Sequence, residues 1–87
     1  MKQISQLKML RREINEIDDK LIKIVAKRFK VTDKIKDFKI KNNLLMEDNN
    51  RELQIMRRVK KQSIKLNLNY QLLQNILRLI INEVKRQ

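Results

Sequence analysis

The sequence predicts an all-α chain built from one long and two shorter helices. Three observations predict it. The 87 residues contain no Gly and no Pro, so tight hairpins and bulged strands lack the residues that normally make them. Leu, Ile, Lys, Arg, Glu and Gln dominate, all of which tolerate helix well. Apolar residues also recur at helical spacing in three segments, separated by Asn-containing breaks. The length suits one small domain, expected to span residues 1–87, with no internal repeat or linker.

The first helix carries the clearest pattern. Leu7, Leu10, Ile14, Ile17, Leu21 and Ile24 alternate spacings of three and four, and the series resumes at Val31, Ile35 and Phe38. This is a heptad seam on a helix expected from about Ser5 to Lys41. Such a helix is roughly 55 Å long at its usual rise. The pattern breaks at Lys41-Asn42-Asn43, where Asn tolerates the left-handed backbone that ends a helix. Glu47-Asp48-Asn49-Asn50 offers caps for a second helix carrying Leu53, Ile55, Met56 and Val59, which fades near Lys65. Asn67-Leu68-Asn69 punctuates again, with Asn69 a cap for a third helix. That helix is expected to bury Leu73, Ile76, Leu77, Ile80, Ile81 and Val84.

Two short helices cannot cover so long a seam, and small domains are marginal even when compact. The expected remedy is a homodimer in which two long helices pair antiparallel about a two-fold axis.

Composition narrows the chemistry. Without Cys or His there is no disulfide, no thiolate and no Ser-His or Cys-His nucleophile. No cluster of carboxylates has metal-ligand spacing, so no metal is expected. A phosphate-cradling loop needs Gly, so no nucleotide-type cofactor is expected either. Any catalysis must therefore need little acid–base help. The net charge is +12, from 22 Lys and Arg against 10 Asp and Glu. That field attracts anions: nucleic acid, anionic lipid or a small polycarboxylate. No apolar run is long enough to span a membrane, and no signal-peptide pattern starts the chain, so a cytoplasmic location is the expectation.

One residue interrupts the seam. Arg28 stands where the heptad requires an apolar side chain. A buried unpaired guanidinium costs several kcal/mol, so something must compensate it. It can snorkel to solvent or pair with an internal carboxylate, or it can belong to an anion site inside a helical bundle. Lys39 lies eleven residues on, almost three full turns, and so shares the face of Arg28 at roughly 16 Å. Two long side chains leaning inward can hold a small dianion between them. Arg11 lies about 25 Å from Arg28 on the same helix. In an antiparallel dimer crossing near residues 20–22, however, the partner's Arg11 lands beside the Arg28–Lys39 interval. On the second helix Asp48 and Glu52 share a face. Acids at a helix N-terminus ordinarily cap it and oppose its dipole, a reading stronger for Asp48 than for Glu52, which lies a turn inside.

These residues resemble a known family. The run Leu10-Arg11-Arg12-Glu13-Ile14, then Ile17-Asp18, Lys20-Leu21 and Ala26-Lys27-Arg28, resembles the first helix of the all-helical chorismate mutases. Lys39, Asp48-x-x-Arg51-Glu52 and Leu79-Ile80-Ile81 continue the likeness in order, so that it covers roughly residues 7–87. The ordered set of Arg11, Arg28, Lys39, Asp48, Arg51 and Glu52 is its most specific part.

The resemblance implies a domain-swapped homodimer with two equivalent sites that rearranges chorismate to prephenate, on the route to Phe and Tyr. A pericyclic reaction of this kind needs no nucleophile, proton transfer or cofactor, which agrees with the missing His and Cys. The resemblance further implies that Arg28 and, in trans, the partner's Arg11 bind the substrate carboxylates. Lys39 would contact a carboxylate and donate to the ether oxygen. Glu52, with the backbone at Asp48, would hold the ring hydroxyl. Arg51 would support the pocket wall, and Ile35, Ile55 and Ile81 would supply apolar walls. Two departures stand out. Val84 replaces a residue that is often polar in relatives. The usual second donor to the ether oxygen, a Gln or Glu one turn further on, falls just past Gln87; either Gln87 substitutes for it or the donor is missing. Loss of one such donor costs around 10²–10³ in rate, so an active but impaired enzyme is expected.

Three other readings fit parts of the pattern. An isochorismate pyruvate-lyase would use the same fold and similar cations. A basic helical nucleic-acid-binding dimer would use the positive charge. Against the second, the basic residues are dispersed, and only Phe29, Phe38 and Tyr70 are available to stack on bases. Neither nucleic acid nor membrane is therefore an expected partner. A purely structural coiled-coil dimer would leave Arg28 explained only as a specificity device.

Overall fold

Heptad-patterned residues without a helix breaker build the long first helix, and Asn residues end it. In the computed structural model, which describes residues 2–46 and 48–86, helix α1 spans Lys2–Lys41, α2 spans Asn49–Leu66 and α3 spans Tyr70–Arg86. There is no strand among the described residues. The expected all-α class and the order of one long and two shorter helices are both found. Helix α1 begins three residues before the expected Ser5, because Lys2-Gln3-Ile4 continues the helical composition.

Both helix ends expected at Asn are made by Asn in the left-handed region. Asn43 and Asn67 each have φ 55°, and they are the only non-Gly residues at positive φ among those described. After α1 the Asn43 amide donates to the Ile40 carbonyl at 3.3 Å and the Leu44 amide to the Lys39 carbonyl at 2.9 Å. After α2 the Asn67 amide donates to Ile64 at 3.3 Å and the Leu68 amide to Ser63 at 2.8 Å. This paired bonding pattern satisfies carbonyls that the last turn leaves unbonded. Asn accepts the conformation here in place of Gly, which the chain lacks.

The starts of α2 and α3 are capped by side chains. Asp48 Oδ1 accepts the Arg51 amide at 3.0 Å, and Asn69 Oδ1 accepts the Leu72 amide at 3.0 Å. Each cap satisfies one of the free N–H groups of a first turn and contributes about 1 kcal/mol.

The residues form two units. The first runs to Ile35 and consists of α1 helix. Its seam residues Leu7, Leu10, Ile14, Ile17, Leu21 and Ile24 are all exposed, at 46–64%. Among the described residues of this unit, only Val25, Arg28, Phe29 and Thr32 are half-buried. The second unit starts at Lys36 and holds the end of α1, the turn, and α2 packed on α3. With only Asn67-Leu68-Asn69 between them, α2 and α3 make an antiparallel helical hairpin.

Packing in the hairpin is thin. Val59 is the one buried apolar residue and Ser63 the one buried polar residue among those described. The Ser63 hydroxyl donates to the Lys60 carbonyl at 2.7 Å, so its polar group is satisfied. Ile55 and Met56 on α2 and Leu73, Leu77, Ile80, Ile81 and Val84 on α3 are half-buried. The expectation that the whole α3 stripe is buried is thus corrected to half-burial, and Ile76 is exposed. Leu53 of α2 is exposed too. A single facing helix shields only part of an apolar stripe, so the flanks of each stripe stay open.

Candidate functional site

Four of the residues singled out by sequence, Lys39, Asp48, Arg51 and Glu52, are cations or acids on the second unit, and local structure sets each of them. Lys39 lies in the last turn of α1 and is half-buried. Its ammonium donates to the Met46 carbonyl at 3.2 Å, across the turn. Its own carbonyl accepts the Leu44 amide. Lys39 therefore ties the helix end to the segment that connects α1 to α2.

Asp48 is exposed and serves as the N-cap of α2. Its side chain is engaged by the Arg51 amide, and its carbonyl accepts the Glu52 amide at 3.2 Å. The capping reading of Asp48 is the one the structure displays. Arg51 is exposed, and its guanidinium donates to Gln54 Oε1 on the same helix at 3.4 Å.

Glu52 behaves differently from Asp48. It is half-buried, lies in the first turn of α2, and shares a helix face with Ile55, Met56 and Val59. Its Oε1 is 2.6 Å from the Lys85 ammonium on α3. This ion pair joins the first turn of α2 to the last turn of α3, which the antiparallel hairpin brings together. Sequence reasoning missed Lys85. The signal was weak: a lysine in the last turn of a helix is ordinarily explained by the helix dipole, and only the α2–α3 register shows which acid it meets. One residue on, Arg86 pairs with Glu83 at 2.9 Å on the same helix.

Of the apolar residues expected to line the site, Ile55 and Ile81 are half-buried on the two hairpin helices, with Val84 half-buried one turn beyond Ile81. Arg11, Arg28 and Ile35 belong to the first unit. There Arg28 is half-buried, while Arg11 and Ile35 are exposed. Gln87, expected as a substitute ether-side donor, lies outside the described residues. No group of three or more acidic residues among those described is placed to hold a metal ion. No helix among the described residues is long and apolar enough to cross a membrane.

Comparison with known proteins bears on this arrangement. A family model described as chorismate mutase type II matches residues 10–87. The bifunctional chorismate mutase/prephenate dehydratase of Buchnera aphidicola subsp. Acyrthosiphon pisum (strain APS) is 34% identical over 79 residues. The protein of the same description from Buchnera aphidicola subsp. Schizaphis graminum (strain Sg) is 35% identical over 79 residues. Each match covers 91% of this chain and 20% of the relative, so the chain spans about a fifth of the length of these relatives. No solved structure matches the chain. The family match includes Arg11, Arg28, Lys39, Asp48, Arg51 and Glu52 and takes in all of α2 and α3; this chain belongs to the type II chorismate mutase family.

Proposed function

We propose that this chain catalyses the rearrangement of chorismate to prephenate, acting as an intertwined antiparallel homodimer that needs no cofactor. The observation that supports it most is the family match over residues 10–87, read with the charged residues it contains. The substrate is a dianion, and the chain offers it cations on a background free of His and Cys.

The dimer reading is supported by the first unit. Its seam of Leu and Ile is exposed along six consecutive heptad positions. With about half of each side chain still in water, full burial by a partner would contribute roughly 1 kcal/mol or somewhat more per residue, about half of the gain for a fully exposed side chain. A second copy presents the same seam and satisfies it symmetrically. Crossing near residues 20–22 then carries the partner subunit's Arg11 toward the Arg28 end of the site.

In the rearrangement the ether C–O bond breaks while a new C–C bond forms, and the electrons move in one ring. No proton is transferred. The enzyme's task is to hold the extended substrate in its compact reactive shape and to stabilise negative charge gathering on the ether oxygen. Arg28 and the partner subunit's Arg11 would grip the two carboxylates, since guanidinium donates in pairs to a carboxylate. Lys39 would donate to the ether oxygen. An ammonium has three donors, so it can keep the Met46 carbonyl and still turn one N–H to substrate. Glu52 would accept the ring hydroxyl, together with the backbone at Asp48. Ile35, Ile55 and Ile81 would press on the ring, and Arg51 would balance charge at the wall. Gln87 would act as ether-side donor. The reading places the reaction in Phe and Tyr biosynthesis, in the cytoplasm, with neither nucleic acid nor membrane as partner.

The test is direct. Purified protein is mixed with chorismate and the loss of its diene absorbance is followed, with products identified. Prephenate formed faster than in buffer is the expected result. No acceleration would sink the reading. Salicylate and pyruvate from isochorismate, with no prephenate from chorismate, would replace it by the lyase.

A further inference from the structure

Lys85 has no part in the chemistry derived so far, yet its ammonium on α3 meets a carboxylate of α2 across the hairpin. Its ammonium sits 2.6 Å from Glu52 Oε1, with the two side chains 44% and 34% exposed. At that exposure an ion pair contributes little to stability, because water screens it and ordering two long side chains costs entropy. The position of the pair matters more. Glu52 is a half-buried acid on the inner face of α2, and Lys85 follows Val84, a half-buried residue of α3.

We propose that Lys85 is a positioning residue of the substrate site: it holds the Glu52 carboxylate by Oε1 and cancels its charge, leaving the second carboxylate oxygen to accept a hydroxyl of a dianionic substrate. The proposal rests on the reading of Glu52 as the hydroxyl acceptor. A carboxylate beside a dianion repels it, and the repulsion grows as water is displaced from the site. A carboxylate paired with an ammonium presents no net charge and keeps spare lone pairs, since its two oxygens offer about four acceptor positions and Lys85 needs one. Lys85 also fixes the rotamer of Glu52, which a solvated side chain would otherwise lose freedom to adopt on binding. Through Glu52 the last turn of α3 thus contributes a cation to the site, close to where Val84 offers no polar group.

The ring hydroxyl gains no charge in the rearrangement. An interaction with it is therefore equal in ground and transition states, and its loss raises KM while kcat stays put. The experiment compares Lys85→Met and Lys85→Arg in the parent and in the Glu52→Gln background, with helicity of each variant checked by circular dichroism. Lys85→Met is expected to raise KM for chorismate about three- to fivefold, the range open to a partly exposed ion pair, with kcat changed less than about twofold. Lys85→Arg, which keeps the charge, is expected to restore the parent KM. In the Glu52→Gln background Lys85→Met is expected to have almost no effect on KM, as coupling through Glu52 requires.

A parent-like KM for Lys85→Met overturns the proposal. So does an equal rise in KM in both backgrounds, which would mean that Lys85 acts on substrate independently of Glu52. So does a fall in kcat matching the rise in KM. Absence of turnover in the parent is seen before any variant is compared, and it overturns the reading of Glu52 together with this one.

Discussion

Lys39 is tied to the turn after α1 from both ends: its carbonyl accepts the Leu44 amide at 2.9 Å and its ammonium donates to the Met46 carbonyl at 3.2 Å. A lysine held this way loses much of its rotamer freedom before any ligand arrives, so its ammonium can act as a preorganised donor. Lys39→Ala is expected to lower kcat by around 10²–10³, the cost of one transition-state donor. The check is the rate of chorismate loss at saturating substrate. Equal rates for parent and variant would remove Lys39 from the site.

Arg28 offers a test in which stability and activity move in opposite directions. It occupies a heptad position among Leu and Ile, and it is half-buried. Leu at that position would continue the seam without a charge to desolvate. Arg28→Leu is expected to stabilise the protein by about 1 kcal/mol or more, in line with replacements of partly buried charges by apolar residues, while mutase activity falls by at least about 10². Urea unfolding and the chorismate assay measure the two. A loss of stability would show that the guanidinium has structural partners in the assembly.

Sharing of the site between subunits can be read from mixtures. Arg11→Ala and Arg28→Ala chains are each expected to be nearly inactive. Unfolded together and refolded, they form heterodimers in which one site receives both wild-type arginines and the other neither. Mixtures should therefore regain activity that neither parent preparation shows. Failure to regain it, with heterodimer verified by mass, would place Arg11 and Arg28 in the same chain's site or outside it.

The exposed seam predicts its own failure mode. Leu21 lies at the expected crossing point and is 56% exposed on the chain. Leu21→Glu puts two carboxylates against each other in an antiparallel pairing, where like charges repel and are desolvated. Sedimentation is expected to shift from dimer to monomer, and helicity to fall with it, since a chain with one buried apolar residue among those described has little core of its own. A Leu21→Glu dimer as stable as the parent would refute the pairing.

The caps separate stability from binding. Asn69→Ala removes the acceptor for the Leu72 amide, far in sequence from the proposed ligand contacts. It is expected to cost about 1 kcal/mol of unfolding free energy with an unchanged KM for chorismate. Denaturant titration and initial rates test the two halves. Asp48→Ala should cost a similar amount through the Arg51 amide, but should also raise KM, because the Asp48 backbone then loses the cap that orients it.

What the amino-acid order alone determined is local. The helices end where Asn can take the left-handed backbone, and they start where Asp48 and Asn69 can reach an amide three residues on. Those interactions span three to five residues, so composition and spacing suffice to read them. Arg28 was legible for the same reason, because a heptad seam predicts which residue breaks it. Lys39, Asp48 and Glu52 were legible as candidates, but not in the contacts they make. The Lys39–Met46 bond depends on how the turn folds back. The depth of burial on α2 and α3 depended on how much of each stripe the facing helix shields, which left Leu53 of α2 and Ile76 of α3 exposed. The Glu52–Lys85 pair joins residues 33 positions apart (85 minus 52) and exists only because α2 and α3 pack antiparallel in one register. Sequence spacing carries no information on that register, since a slide of one turn would present Lys85 to a different residue while leaving both helices unchanged. Tertiary packing alone decided it.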